Sequence, residues 1–336
     1  LACATWANLS LKAKTKSVFK NALASLKQVD SLKPGDLTVT FRDAAKGAWA
    51  EKGDALLEAV ASCDRPVVLF IDELPILVCR LLKGQGDVVT DEGRDAADRL
   101  MSWLGRATQR GGNLRLVLSG SIGLEPVLRQ GRLSATINAF TPFSLPAWDP
   151  PTAMELVRAL ADGDRLPHDD GVPAHLVQLL GQCVPYHVQL FFSLLRDRHD
   201  LERSQGRTKP CCVDDVDYIY RERMLAPGGH AELAHNEERL RMVLGSEAGL
   251  ARELLTEAAV ARELTDDAAV FLTNLRAIPG REALSALQHT LDVLEHDGYL
   301  RRLSGRRVFE SNLLRDWWSR RFGLGYVVVV DRPKAS

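Results

Sequence analysis

The sequence predicts an α/β protein: a parallel, doubly wound sheet, then an all-helical region, then a small helix-and-hairpin module. Three observations predict it. Val67–Ile71 is an unbroken apolar run between Pro66 and Asp72, apolar on both faces as in the middle of a parallel sheet. Leu114–Leu118, apolar but for Arg115, is a second strand beyond a helical stretch, the strand–helix–strand alternation of βαβ units. After Pro150-Pro151 the spacing is helical up to the pair Tyr299–Leu303 and Arg306–Phe309, which Ser304-Gly305 joins as a two-residue hairpin turn.

The elements follow in order. Ala4–Leu9 is a short strand, and Lys14–Val29 is an amphipathic helix with Val18, Leu23, Leu26 and Val29 on one side. Leu37–Phe41 alternates like a half-buried strand, and Asp54–Ala61 is a short helix. The strand Val67–Ile71 comes next. The helix Ala96–Gln109 is broken by Gly111-Gly112 before Leu114–Leu118, and a short helix spans Leu124–Gln130. Phe140–Leu145 is a further strand, set near an edge by Pro142. Helices are then expected at Thr152–Ala161, Ala174–Leu180, Tyr186–Arg198, Asp214–Met224, Glu237–Leu244, Leu250–Ala261, Leu284–Asp297 and Leu313–Phe322. In Trp317-Trp318 at least one ring belongs to the core. The terminal run Tyr326–Val330 is β-prone and suited to a sheet edge.

Composition narrows the function classes. The 336 residues are 46% hydrophobic and 26% charged, with a formal net charge of -1. These are values of a folded chain with room for two or three domains rather than of a disordered or nucleic-acid-coating chain. No apolar run approaches the roughly 18 residues that span a bilayer, so no membrane role is expected. The six cysteines include no CxxC pair, which argues against a zinc or dithiol site and for free thiols in a reducing cytoplasm. Cys211-Cys212 is read as an inert loop pair.

The chemistry is concentrated where the two apolar runs end. A buried strand followed at once by Asp72-Glu73 has a specific use in P-loop NTPases. The first acid stands on the Mg²⁺ side of Mg-ATP and the second orients and deprotonates the attacking water. Both lie where ligands bind in such sheets, outside the carboxyl ends of strands. Leu114–Leu118 ends in Ser119-Gly120-Ser121. In these ATPases the adjacent strand ends in a polar residue that touches the γ-phosphate or the water, which makes Ser119 and Ser121 candidate sensors. Each serine also suits a turn that caps the next helix.

Together FIDELP (Phe70–Pro75), LRLVLSGSIGLEPVL (Leu114–Leu128) and INAFTPFSLPAWD (Ile137–Asp149) resemble the AAA+/STAND-type ATPases, in particular the prokaryotic archaeal-type ATPases. GQCVPYHVQLFFSLL is similar to their helical lid, with Gly181 and Pro185 in the place of its Gly-x-Pro segment, spaced more widely. LDVLEHDGYLRRLSGRRVFESNLLRDWW resembles their C-terminal winged helix. The resemblance implies an ATPase core over residues 1–149, a lid over 150–210, a helical linker region over 211–280, a winged helix over 281–323 and a tail over 324–336. It implies ATP and Mg²⁺ as cofactors, with Asp72, Ser119 and Ser121 toward them and Glu73 as base. The family's G-x-x-x-x-G-K-[ST] loop is absent from the chain. Gly84-Gln85-Gly86 is followed by no Lys-Ser/Thr. In the family's chain order, with Ala4–Leu9 as the second strand, that loop is expected upstream of Leu1.

Arg129 and Arg132 stand where an arginine finger toward a neighbour's ATP is expected, which would make the protein a homo-oligomer. Arg94, Arg99 and Arg106 read as surface charges. Arg301, Arg302, Arg306 and Arg307 crowd one hairpin and are candidate DNA contacts, although Asp292, Glu295 and Asp297 precede them and would repel a duplex. A protein-docking role for the same module stands beside the DNA reading. The alternatives to an ATP-driven switch are a non-hydrolysing interaction platform and a DNA-binding ATPase regulator.

Overall fold

Val67–Ile71 (β1) and Leu114–Leu118 (β2) pair in parallel, Val67 opposite Leu114 through Ile71 opposite Leu118. Parallel neighbours need a crossover, and two helices supply it: α1 (Leu74–Lys83) and α2 (Asp91–Gln109). The computed structural model describes residues 66–84, 86, 88–109, 113–206, 209–226, 231–276 and 280–332, with Trp49, Ala50, Gly53, Asp54 and Leu57. The expected elements Ala4–Leu9, Lys14–Val29 and Leu37–Phe41, and most of Asp54–Ala61, lie outside them. The chain divides into two compact units, one up to Pro142 and one from Phe143.

In the first unit α1 adds a helix to the expected elements. Pro75 occupies its first turn, where no N–H is needed, and Leu74, Val78 and Leu82 recur every four residues and are buried. Helix α2 starts earlier than the expected Ala96 because Thr90 caps it, its hydroxyl accepting the Gly93 N–H at 3.0 Å. Gly93 is required there: a Cβ would stand 2.3 Å from the Leu82 carbonyl oxygen, so the two helices meet backbone to backbone. Helix α3 (Leu124–Gln130) lies where expected and packs on α1, with Val127 and Leu128 buried.

One face of the sheet, with Val67, Leu69 and Leu116, packs with Leu57, Trp103, Ala107 and Leu114. The other face is open: Phe70 is 65% exposed, and Val68 and Val117 are exposed beside it. The expectation that β1 is buried on both faces is thus corrected. Among the described residues the sheet has two strands, and the helical residues cover one side of it. The expected strand Phe140–Leu145 is also absent. A 3-10 turn at Ser134–Ala139 leads through an extended Phe140 into chain that pairs with no strand. Pro142 and Pro146 have no N–H to donate to a ladder, and Phe143 and Leu145 are each 86% exposed.

Among its described residues the second unit is helical but for one hairpin. Asp149 caps α4 (Pro150–Asp164) by accepting the Thr152 N–H at 2.7 Å. That bond holds its carboxyl below the usual carboxylate range. With α5 (Gly171–Leu180), α6 (Pro185–Ser204) and α7 (Val213–Ile219) it encloses Val157, Leu176, Val188, Phe191 and Val216. Helix α7 widens into one π turn at Tyr220–Met224, where the Tyr220 ring stacks on Phe191 at 6.1 Å.

Helices α8 (Ala231–Leu244), α9 (Ala248–Val260), α10 (Asp266–Asn274) and α11 (Gly280–His296) precede β3 (Leu300–Leu303), β4 (Arg306–Phe309) and α12 (Asn312–Phe322). Helix α10 was not expected. Its signals are the Thr265 cap, accepting the Ala268 N–H at 3.1 Å, and Asp266-Asp267 in the first turn. The hairpin turn is as read, with Ser304 and Gly305 both left-handed (φ 51° and 80°), the geometry that matches strand twist. Leu264 adds a third short edge, exchanging both backbone hydrogen bonds with Arg307 at 2.7 and 2.9 Å. Both Trp317 and Trp318 are buried, and the Trp318 indole donates to Thr256 Oγ1 at 3.2 Å.

The terminal run is not a strand. The Tyr326 hydroxyl donates to Glu257 Oε2 at 2.9 Å and the Val329 N–H donates to both Glu257 oxygens at 3.1 Å, so a buried carboxylate of α9 takes the bonds a ladder would have taken. Among the described residues no helix is long and apolar enough to cross a membrane.

Candidate functional site

The parallel register brings the two strand ends side by side, and with them all four candidate polar residues. Ile71 ends β1 opposite Leu118. The Ser119 N–H donates to the Ile71 carbonyl at 3.0 Å, and the Leu74 N–H donates to the Ser119 carbonyl at 3.1 Å. Asp72 Oδ1 accepts from the Ser119 hydroxyl at 2.7 Å and from the Glu73 N–H at 3.0 Å. Glu73 Oε2 accepts from the Ser121 hydroxyl at 2.9 Å and from the Ser121 N–H at 3.1 Å.

Each acid is therefore anchored through a single oxygen. Among the described residues Asp72 Oδ2 and Glu73 Oε1 accept no hydrogen bond. Asp72 is exposed and Glu73 half-buried. An exposed carboxylate beside a serine hydroxyl is a hard-oxygen donor set of the kind Mg²⁺ takes with retained waters. The half-buried second acid has one free oxygen for a proton or a water.

Two features of this turn lay outside the sequence reading. Glu73 sits in the left-handed region at φ 56°, which a non-glycine residue adopts only where its surroundings fix it. Gly120 touches α1: a Cβ there would stand 2.4 Å from Pro75 Cδ and 2.7 Å from Pro75 Cγ. The signal in sequence was the glycine between two serines and the proline two residues past Glu73, but nothing in sequence says that they meet.

Arg129 lies on α3, half-exposed and 3.0 Å from Glu125. Arg132 is exposed and left-handed (φ 58°) just beyond α3. Arg94, read as a surface charge, instead donates its Nε to the Gly131 carbonyl at 3.0 Å and so fixes the turn that carries Arg132.

Three of the four hairpin arginines are engaged with carboxylates of α11 and of the segment 263–266. Arg307 is 6% exposed and pairs with Glu295 at 2.6 Å and Asp266 at 2.5 Å. Arg302 pairs with Glu295 at 3.0 Å and Arg306 with Glu263 at 2.6 Å, while Arg301 is exposed. Of the acids that precede the hairpin, Glu295 thus serves its arginines. Gly181 ends α5 at φ 72°, with Asn312 against the place a Cβ would fill. Gln182 donates to Glu310 Oε2 at 2.7 Å, and Asn312 donates to the Gln178 carbonyl at 3.1 Å. The Gly181–Pro185 segment is therefore tied to the hairpin's end. Cys211 is buried, and burial pushes its thiol up to about 12, with Asp215 adding to the effect; a thiol held protonated is unreactive.

No family model matches the chain, and no curated protein matches it in sequence. Among solved structures it is similar to a Walker-type ATPase of Pyrococcus abyssi, with a TM-score of 0.54 and 14% identity over 89% of this chain and 75% of that one. At that identity the likeness is one of fold. The chain is a mostly helical α/β protein with a small parallel sheet, and it shares the fold of a Walker-type ATPase.

Proposed function

We propose that the protein is an ATPase of AAA+/STAND type that couples its nucleotide state to conformational change. The observation that carries the reading is the juxtaposition of Asp72-Glu73 and Ser119-Gly120-Ser121 at the carboxyl ends of two adjacent parallel strands. In this reading residues 1–149 form the P-loop core, 150–210 the lid, 211–280 the linker region, 281–323 the winged helix and 324–336 the tail. Asp72 stands on the Mg²⁺ side and Ser119 beside it as sensor. Mg-ATP, when bound, supplies the phosphoanhydride and the metal charge. Glu73 orients a water and accepts its proton at the carboxylate. Phosphoryl transfer depends on that positioning more than on covalent help. Arg129 and Arg132 are the candidates for reaching a neighbouring copy's nucleotide. The winged helix is read as a protein-docking module, since three of the four hairpin arginines are already paired.

The test is Glu73→Gln in the full-length protein, which keeps size and hydrogen bonding and removes the base. ATP should still bind while turnover falls roughly 10²–10⁴-fold. Asp72→Asn should lower Mg²⁺-dependent nucleotide affinity as well. Near-normal hydrolysis by Glu73→Gln would return the Asp-Glu turn to a structural strand end.

A further inference from the structure

We infer that Ser121 is a positioning residue for Glu73: it fixes one oxygen of the carboxylate and leaves the other for the attacking water, and it is not itself a contact to phosphate. The inference rests on the reading of Glu73 as the base.

The geometry around Glu73 is over-determined. Two donors of one residue, the Ser121 hydroxyl at 2.9 Å and its N–H at 3.1 Å, converge on Oε2, and Oε1 is left without a hydrogen bond among the described residues. The backbone of Glu73 is held left-handed at φ 56°. The loop that bears Ser121 is itself pinned to the same turn, through the Leu74 N–H on the Ser119 carbonyl at 3.1 Å and through Gly120 against Pro75. A flexible acid at a strand end would need none of this.

The donor count then separates two roles for the serine. A hydroxyl has one proton to donate. While that proton is committed to Glu73 it is not available to a phosphate oxygen, so Ser121 serves the base; the Ser119 proton is committed in the same way, to Asp72 at 2.7 Å. Two donors on Oε2 keep the carboxylate from rotating and hold Oε1 in one direction, which is what a general base needs before a water arrives. The backbone N–H persists in any variant, so the share of the hydroxyl can be measured separately.

The experiment measures ATP turnover by the full-length protein with Ser121→Ala, Ser121→Thr, Glu73→Gln and the double variant Glu73→Gln/Ser121→Ala. Ser121→Ala should lose roughly tenfold in kcat, the scale of one hydrogen bond to a charged group. Its KM for Mg-ATP should stay within about twofold, because ground-state binding is untouched. Ser121→Thr, which keeps the hydroxyl, should retain most of the activity. In the Glu73→Gln background Ser121→Ala should cost nothing more. A Ser121→Ala kcat equal to wild type would overturn the assignment. So would a raised KM at constant kcat, the mark of a phosphate contact, or an undiminished loss in the Glu73→Gln background, the mark of a merely structural role. Wild-type protein that turns over no ATP would overturn the ATPase reading and this inference with it, whereas an active wild type with an indifferent Ser121 overturns the inference alone.

Discussion

At the scale of single residues, the site depends on Gly120 as much as on the side chains that bear the chemistry. Ser119 and Ser121 reach their carboxylates only because the backbone between them lies flat against Pro75, at a distance no Cβ tolerates. Gly120→Ala must move either the proline, and with it the first turn of α1, or the loop and its two serines. Overpacking of this kind costs about 1–3 kcal/mol. We expect a lower Tm for Gly120→Ala together with a turnover loss at least as large as that of Ser121→Ala, because both anchors shift at once. Thermal denaturation and steady-state kinetics read the two effects, and a variant with the wild-type Tm would show that the loop yields without strain.

At the scale of elements, the second unit is knit by carboxylates that each gather several donors. Glu257 of α9 gathers Tyr326 and Val329, and Glu295 of α11 gathers Arg302 and Arg307. Asp316 of α12 gathers the Tyr220 hydroxyl at 2.9 Å, Arg262 at 3.0 Å and Arg315 at 2.8 Å. Burial by itself would raise the Asp316 carboxyl. The hydrogen bond and charge of Arg315, with Tyr220 and Arg262, outweigh it and hold the group below the usual range. A depressed folded-state value contributes stability above the unfolded value, about 3.9, and that contribution disappears as pH falls through the folded value. Asp316→Asn should therefore cost about 1–2 kcal/mol at neutral pH, and the gap to wild type should close below about pH 4. Glu310, raised by burial, works in the opposite sense. The difference between wild type and Asp316→Asn in urea unfolding isolates the Asp316 contribution, and a gap constant between pH 7 and pH 3 would refute it.

At the scale of the whole molecule, each unit has its own buried core, and the connection between them is exposed. The chain divides at Pro142 and Phe143. Phe143 and Leu145 are almost fully exposed there, on chain without regular structure. Exposed, unpaired segments of this kind are where proteases cut folded proteins. Brief digestion with a protease selective for aromatic residues should cleave first after Phe143 and release the 193-residue fragment Ser144–Ser336; the Leu145–Pro146 bond should resist. Mass spectrometry of the first products checks the site, and an initial cut within α4–α6 would show that the helical unit is the looser part.

The sequence by itself determined the local elements whose signals are short-range. These are β1 from a continuous apolar run, β2 from a run apolar but for Arg115, α3 to the residue, the hairpin from Ser304-Gly305, and the placement of an acid pair and a hydroxyl pair at two strand ends. Side-chain periodicity and turn chemistry act over a few residues and are legible without partners. Tertiary structure alone decided which oxygen of each acid is bound, since that follows from the parallel register of strands 47 positions apart, as at Val67 and Leu114. It also decided that the hairpin arginines are paired, because their partners Glu263, Asp266 and Glu295 come from elsewhere in the chain. It overruled β-propensity at Tyr326–Val330, where a buried glutamate offered the backbone a better acceptor, and at Phe140–Leu145, where no edge was offered to prolines that could not use one. Propensity states what a segment prefers alone. The fold of the segment is set by which donors and acceptors lie within reach.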